Sequence, residues 1–369
     1  MVPGLILGLS AMLIVPSEVS HGVPAIAQAE RTGEIDRAIA QGVKLYEEGS
    51  AESLRKAIVV FEKALQLSRS AKASDKQARS SLYLGSIYSD LNENQKALDY
   101  YNQALPLYRA VGDRRGEATT LDSIGFVYVF LGQHSEALKY HNRALPLQRA
   151  VGNRRGEATA LNNIGLVYSV LGRHSEALKY YNQALPLHRT VGNRRGEATV
   201  LNNIGDVYDS LGQQSEALKH YNQALPLHRA VGDRRGEAVT LSSIGLVYDS
   251  LKQQSEALKY YNRALPLHRA VGDRRGEAVT LNNIGFVYSS LGQKPEALKY
   301  YNQALLLHRA VGNRHEEAKA LNNIGFIYSS LGQKPEALKY YNQALLLHRA
   351  VGNRDGETEI LNNIRAIGR

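Results

Sequence analysis

Cysteine and tryptophan are absent from this 369-residue chain, methionine occurs twice and phenylalanine five times. Without cysteine there are no disulfides, thiolate metal sites, iron–sulfur ligation or cysteine nucleophiles. Proline and glycine are too few for a collagen or a Pro/Gly linker, at 10 and 32 residues. Long hydrophobic runs are also missing. The longest opens the chain, Leu5–Val15 (LILGLSAMLIV), and its 11 residues fall short of the roughly 20 that a membrane-spanning helix needs. Phosphate-cradling glycine loops, H-E-x-x-H and G-x-S-x-G do not occur. No cofactor, metal site or catalytic residue is therefore expected, and the chain reads as non-enzymatic. Hydrophobic content of 43% with mixed charge excludes a disordered polymer. The net charge of +10 gives solubility and a general attraction to acidic partners.

The apolar run is closed by Pro16 and followed by PAIAQA, Pro24–Ala29, with small residues at Ala25, Ala27 and Ala29. An apolar core followed by an A-x-A site is the pattern of a secretory signal peptide, although no Lys or Arg precedes the run. Residues 1–29 are expected to be such a leader and the chain to be exported, to a periplasm or outside the cell; cytoplasmic residence is the alternative.

The remainder is periodic. RAVGDRRGEA, RAVGNRRGEA or a close variant begins at Arg109, Arg149, Arg189, Arg229, Arg269, Arg309 and Arg349, every step being 40 residues. Within one copy, Leu161, Ile164, Val167, Tyr168 and Leu171 fall on one face of a helix that Gly172 stops. A second run places Ala177, Leu178, Tyr181, Ala184 and Leu185 the same way and ends at Gly192. Each copy is thus a helical hairpin. A hairpin of this kind cannot bury its own apolar face, so the copies must stack.

Leu161, Ile164-Gly165, Tyr168, Gly172, Ala177, Tyr181 and Ala184 resemble the tetratricopeptide repeat. The period is 40 instead of 34, and the six extra residues are assigned to the second helix and the GNRRGEA connector. The long form is similar to the repeats of the LGN/Pins polarity adaptors, LNNIG looks like kinesin light chain, and the near-identical copies resemble bacterial, especially cyanobacterial, arrays. The resemblance implies an all-α solenoid, a right-handed superhelix with a concave groove lined by first helices. The organisation expected is a leader over 1–29, a divergent repeat over 30–74, seven units over 75–354 and a C-terminal capping helix over 355–369. The first hairpin turn is read as lengthened by about three residues through Glu47–Glu52. Pro106, Pro146, Pro186, Pro226 and Pro266 fall inside second helices, where a local kink is expected.

His188, His228, His268, His308 and His348 recur once per copy. Neighbouring copies are too far apart, at least ~8–10 Å, for two of these rings to share a metal, and they are read as surface residues. The doublets from Arg114-Arg115 to Arg274-Arg275 are interleaved with acids, so caps and local ion pairs are expected in preference to a nucleic-acid ridge.

A helical wheel of the first helices puts Ile164-Gly165 and their equivalents in the core and leaves an opposite stripe. Copy by copy it reads Thr119, Ser123, Phe126, Phe130; Thr159, Asn163, Leu166, Val170; Thr199, Asn203, Asp206, Ser210; Val239, Ser243, Leu246, Ser250; Val279, Asn283, Phe286, Ser290; and Lys319, Asn323, Phe326, Ser330. Four of the five phenylalanines fall on it, and exposed apolar surface usually marks an interaction site. The asparagines offer donor and acceptor together, matching a peptide amide. The expected function is a protein-interaction scaffold that holds a partner segment with apolar anchors near both ends. A sensor array serving a separate effector enzyme and a polyanion-binding module are the alternatives.

Overall fold

The computed structural model describes residues 22–368, with side chains from residue 30 onward and that of Ala51 excepted. The Leu5–Val15 run lies outside the described residues, and Pro24–Ala29 fall within the first helix. Two compact units divide between Asn153 and Arg154. The first holds α1 (Gly22–Glu48), α2 (Ala51–Ser70), α3 (Ser74–Asp90), α4 (Asn94–Ala110), α5 (Arg114–Phe130) and α6 (His134–Ala150). The second holds α7 (Arg154–Val170), α8 (His174–Thr190), α9 (Arg194–Ser210), α10 (Gln214–Ala230), α11 (Arg234–Ser250), α12 (Gln254–Ala270), α13 (Arg274–Ser290), α14 (Lys294–Ala310), α15 (Arg314–Ser330), α16 (Lys334–Ala350) and α17 (Arg354–Gly368). Among the described residues there are no strands, and each unit is a stack of antiparallel helical hairpins. No described helix is long and apolar enough to cross a membrane.

From α4 to α16 every helix has 17 residues and every link three, which makes up the period of 40. The extra length over a 34-residue repeat therefore lies in both helices. The RRGEA stretch is no connector: it is the first turn and a half of the next helix. In α5, α9, α11, α13, α15 and α17 the residue before the helix caps it, as when Asp233 accepts from the Gly236 N–H at 3.0 Å. Most links carry a glycine at positive φ. Gly172 has φ 71°, and the Arg173 N–H then reaches back to the Tyr168 carbonyl at 2.8 Å, closing the helix end. Lys252 occupies the equivalent place with φ 61°, where a side chain is strained.

The first hairpin departs from its expected form. Its turn is only Gly49–Ser50, because α1 and α2 extend into the segment read as turn, with Ser50 capping α2 through the Ser53 N–H at 3.0 Å. The proline-bearing helices continue to their ends four residues past each proline, with the ring on the exposed side.

The core repeats with the sequence. In each hairpin of the second unit a buried tyrosine, Tyr181, Tyr221, Tyr261, Tyr301 or Tyr341, lies flat on the glycine of the partner helix. A Cβ on Gly205 would stand 2.6 Å from the Tyr221 ring, inside van der Waals contact. Tyr168 and its equivalents are only half-buried and stack on the next helix, as Tyr168 does on Tyr180 with ring centres 5.4 Å apart. The last helix, α17, buries Ile360 and Ile367 and leaves Arg365 exposed.

Candidate functional site

The junctions between hairpins explain which residues remain free. His188, His228, His268, His308 and His348 are not surface residues: all five are buried at the point where one hairpin meets the next. At four of them, all but His308, a glycine eight residues on makes room for the ring. A Cβ on Gly276 would come 2.3 Å from the His268 ring, so the RRGEA glycine clears room for the imidazole. His228 Nδ1 lies 3.0 Å from Asp233 Oδ2, and its Nε2 lies 3.2 Å from Asn202 Nδ2. The neutral Nδ1–H tautomer satisfies both, donating to the carboxylate and accepting from the amide. Burial lowers the pKa of His188, His228, His308 and His348, and of His220, which stacks on Tyr208. The fourth copy in this series differs: Glu316 stands where the others have glycine, and neither nitrogen of His308 has a hydrogen-bond partner among the described residues.

The arginines that end the second helices are spent on folding. Arg189, Arg229, Arg269, Arg309 and Arg349 each hold the first-turn glutamate of the following helix at 2.6–2.7 Å. Arg195 and Arg235 reach the capping Asp233 and Asp273 of the next copy at 3.4 and 3.7 Å. Asp273 also accepts from His268, which with its other bonds brings its pKa down to about 2. Among the doublets of the second unit, Arg154 is paired with Glu157 at 3.1 Å, while Arg195 and Arg235 keep most of their surface exposed.

The asparagines of the stripe also have other work. Asn203 Nδ2 donates to Asn162 Oδ1 at 2.8 Å, and Asn323 Nδ2 to Asn282 Oδ1 at 3.3 Å, each bond tying one copy to the one before. Asn163 is buried. Asn203 and Asn323 thus serve the stack, and the burial of Asn163 takes it away from a partner's backbone. Asn283 is half-buried and approaches the Tyr261 hydroxyl without making a hydrogen bond to it.

What the stripe leaves open is apolar. In the second unit Leu246, Phe286 and Phe326 are 46%, 49% and 58% exposed, which for large apolar side chains on packed helices is a free surface. They hold the same helical position in α11, α13 and α15, with exposed Val239 and Val279 one to two turns before them. Leu166 is half-buried. Asp206, in α9, is exposed yet ringed by protein atoms; this desolvation raises its pKa, and the hydrogen bond it accepts from the Tyr221 hydroxyl at 2.6 Å opposes the rise. In the first unit Phe126 and Phe130 are also exposed and meet edge to face, ring centres 4.8 Å apart. Three positions that the wheel passed over sharpen the picture. Asp209 and Asp249, three residues beyond Asp206 and Leu246, are half-buried carboxylates with pKa values raised by desolvation, and Tyr261 lies fully buried near them. Among the described residues no group of three or more metal-ligating side chains is assembled.

The arrangement of stacked helical hairpins is one that known proteins share. The tetratricopeptide repeat model matches residues 50–110, 116–190, 156–230, 216–270 and 276–350. The chain belongs to the tetratricopeptide repeat family. No curated protein matches it. Among solved structures, the apo form of the quorum sensor NprR from B. thuringiensis superimposes with TM-score 0.63 at 18% identity, over 87% of this chain and 99% of that one. A Rap protein complexed with competence and sporulation factor gives 0.62 at 14% identity, over 88% and 99%. A signal-transduction ATPase with a tetratricopeptide repeat sensor from Pyrococcus horikoshii gives 0.63 at 13%, over 89% of this chain and 55% of that chain. At these identities the likeness is one of fold.

Proposed function

We propose that this tetratricopeptide repeat protein is a non-enzymatic scaffold that holds a peptide segment of a partner protein along the exposed stripe of its second unit. The carrying observation is the free apolar row of Leu246, Phe286 and Phe326 on helices whose other faces are consumed by packing. Large apolar side chains held rigidly at a surface supply anchor pockets at little entropic cost, and such anchors carry most of the affinity of an interface. The stacking arginines and asparagines leave side-chain anchoring, more than backbone reading, as the means of recognition. The Rap structure in complex with its factor supports a binding role for a fold of this kind. The exposed pair Phe126 and Phe130 is proposed as a separate apolar contact on the first unit. A partner with apolar residues follows from both.

The test begins with a displayed library of random 12-residue peptides selected on the full chain. A shared apolar motif is expected, with calorimetric affinity falling at least tenfold in Phe286→Ser/Phe326→Ser. That is the loss expected when two anchors of at least ~1 kcal/mol each are truncated. Peptides that bind the double variant as tightly as the parent would refute the assignment.

A further inference from the structure

At the junctions of the second unit the buried histidine ends one hairpin and a capping residue five positions on opens the next, and the copies split into two kinds there. Asp233 and Asp273 cap α11 and α13. One carboxylate oxygen accepts the glycine N–H, from Gly236 at 3.0 Å or Gly276 at 2.9 Å. The other lies 3.0 Å from His228 Nδ1 or 3.1 Å from His268 Nδ1. Asn193, Asn313 and Asn353 cap α9, α15 and α17, their oxygens accepting the N–H of Gly196, Glu316 and Gly356 at 3.1, 3.3 and 3.0 Å. An amide has one oxygen, so an asparagine that caps with it has only its NH2 to offer the ring. Asn193 offers it, with Nδ2 3.1 Å from His188 Nδ1. Neither nitrogen of His308, nor Nδ1 of His348, has a hydrogen-bond partner among the described residues.

The two kinds respond differently when a ring gains its second proton, because an imidazolium has two N–H donors and no acceptor. At His228 and His268 the Nδ1 donor meets a carboxylate, and Asp273, its pKa brought down to about 2 chiefly by the bond from His268, keeps its charge. The Nε2 donor of His268 meets the Ser242 hydroxyl, and that of His228 meets Asn202, whose amide can turn because the Thr240 hydroxyl beside it both donates and accepts. At His188 the Nδ1 donor faces an NH2 that turns only by giving up the cap on α9. At His308 and His348 it finds no acceptor, and the His315 ring, its centre 6.3 Å from that of His348, repels it when both are charged. Burial disfavours the cation at His188, His308 and His348. Arg155 on α7 adds to this at His188 and Glu197 on α9 opposes. At His308, Arg275 on α13 and Lys319 on α15 add to it, against Glu316 and Glu317 on α15. At His348, His315 and Lys319 on α15 add to it, against Glu359 on α17. Burial and Arg195 act the same way at His228, but there Asp233 and Glu237 oppose.

We propose that the caps make the second unit a graded acid switch: mild acid loosens the stack at the asparagine-capped junctions, foremost α14 on α15 and α16 on α17, and leaves the aspartate-capped ones, α10 on α11 and α12 on α13, closed. Stacked copies contact only their neighbours, so one junction opens without the rest. The loss begins below about pH 6.5, where an unfolded histidine takes up its proton and a buried one does not. Asp206 and Asp209 on α9 and Asp249 on α11 have raised pKa values, so their protonation favours the folded middle as pH falls, and α8 on α9 yields less than the two last junctions. Phe326 stands on α15, whereas Leu246 and Phe286 stand on α11 and α13, so on the groove reading above acid frees one end of the apolar row only.

The experiment is hydrogen–deuterium exchange of the full chain at pH 7.5 and 5.5, followed by mass spectrometry, with rates corrected for the intrinsic pH dependence of amide exchange. It needs no partner, so its outcome is independent of the groove reading. The junction of α4 and α5, which carries Tyr108 in place of histidine, is the internal reference. At pH 5.5 the protection of α15 and α17 is expected to fall several-fold while that of α11 and α13 holds. Aspartate and asparagine cap helices about equally well, so exchanging them leaves the fold at pH 7.5 intact. Asn193→Asp/Asn313→Asp/Asn353→Asp is expected to keep α15 and α17 protected in acid. The reverse exchange, Asp233→Asn/Asp273→Asn, is expected to extend the loss to α11 and α13. Protection that falls equally across the second unit, or an Asp triple variant as acid-sensitive as the parent at α15 and α17, overturns the proposal.

Discussion

Two regions of the second unit, the packed contacts within the hairpins and the exposed stripe, are built from the same five copies and have diverged to different degrees. At the hairpin contact every copy has tyrosine on glycine, from Gly165 under Tyr181 to Gly325 under Tyr341. Two residues beyond the first helix's contact glycine the copies read Val167, Val207, Val247, Val287 and Ile327 inward, while the residue between, on the stripe, reads Leu166, Asp206, Leu246, Phe286 and Phe326. Adjacent positions on one helix thus differ entirely in how much they vary. The reason is distance. A ring lying where a Cβ would come within 3 Å permits no second choice, whereas a side chain facing out is constrained only by what it meets there.

The sharpest way to break the comparison is at the contact itself. Tyr221→Ala removes a fully enclosed ring and should cost about 3–5 kcal/mol, the range for large aromatic-to-alanine changes in cores. Urea unfolding of the full chain measures it. A cost below about 1 kcal/mol would mean that the site collapses onto itself and the contact is not decisive. Gly276→Ala should cost less, about 1–3 kcal/mol, because the imidazole of His268 must shift to admit the methyl group.

Acid should weaken the junctions through their buried histidines, with the raised pKa values of Asp206, Asp209 and Asp249 acting in the opposite direction. His188, His220, His228, His308 and His348 have lowered pKa values in the fold, chiefly because burial disfavours the cation; Arg155, Arg195 and Arg275 add to this at His188, His228 and His308, and His315 at His348. The unfolded chain takes up these protons near an ordinary pKa of about 6.5 and the folded chain only lower. The unfolded state therefore binds more protons as pH falls, so the stabilisation is complete above about pH 6.5 and is lost progressively below it. The urea midpoint should drop between pH 7.5 and 5.5, and His188→Gln/His348→Gln should flatten the slope. A midpoint that is level or rises toward pH 5.5 would contradict the buried assignment.

The smallest expected effect is a gain. Lys252 sits at φ 61° where neighbouring copies have glycine, so Lys252→Gly should stabilise the chain by about 1 kcal/mol through relief of left-handed strain. Unchanged or lowered stability would show that the lysine side chain repays its backbone cost, for instance through its long-range attraction to Asp249.

The hairpins, their stacking and the tyrosine–glycine pairs were legible because each is announced within one copy, by apolar spacing of three and four and by glycine where helices touch or end. The stripe was legible by subtraction, as the face left over once the core face was assigned. What escaped was non-local. His228 reads as a polar residue beside Arg229 in a last turn, and only the glycine at position 236, in another helix, reveals that the ring has somewhere to go. Asn203 reads as a free amide until its partner Asn162, one copy back, is placed beside it. The length of the links misled for a related reason: RRGEA carries glycine and charge, the composition of a loop, yet its charges pair with the preceding helix and its glycine packs inside one. Asp209 and Asp249 fell one position outside the wheel's stripe, and their desolvation is visible only once the helices are packed.

The account holds that the junctions fold the chain and the stripe is free to recognise. Its most direct test is the unfolding free energy of Phe286→Ser/Phe326→Ser, measured by urea titration at pH 7.5 beside the parent. Both rings are about half exposed, so the double variant should lie within about 1 kcal/mol of the parent, as surface substitutions of roughly ±0.5 each do. A loss of several kcal/mol would show that the two phenylalanines are packing residues, and the division between folding junctions and a recognising stripe would fail with them.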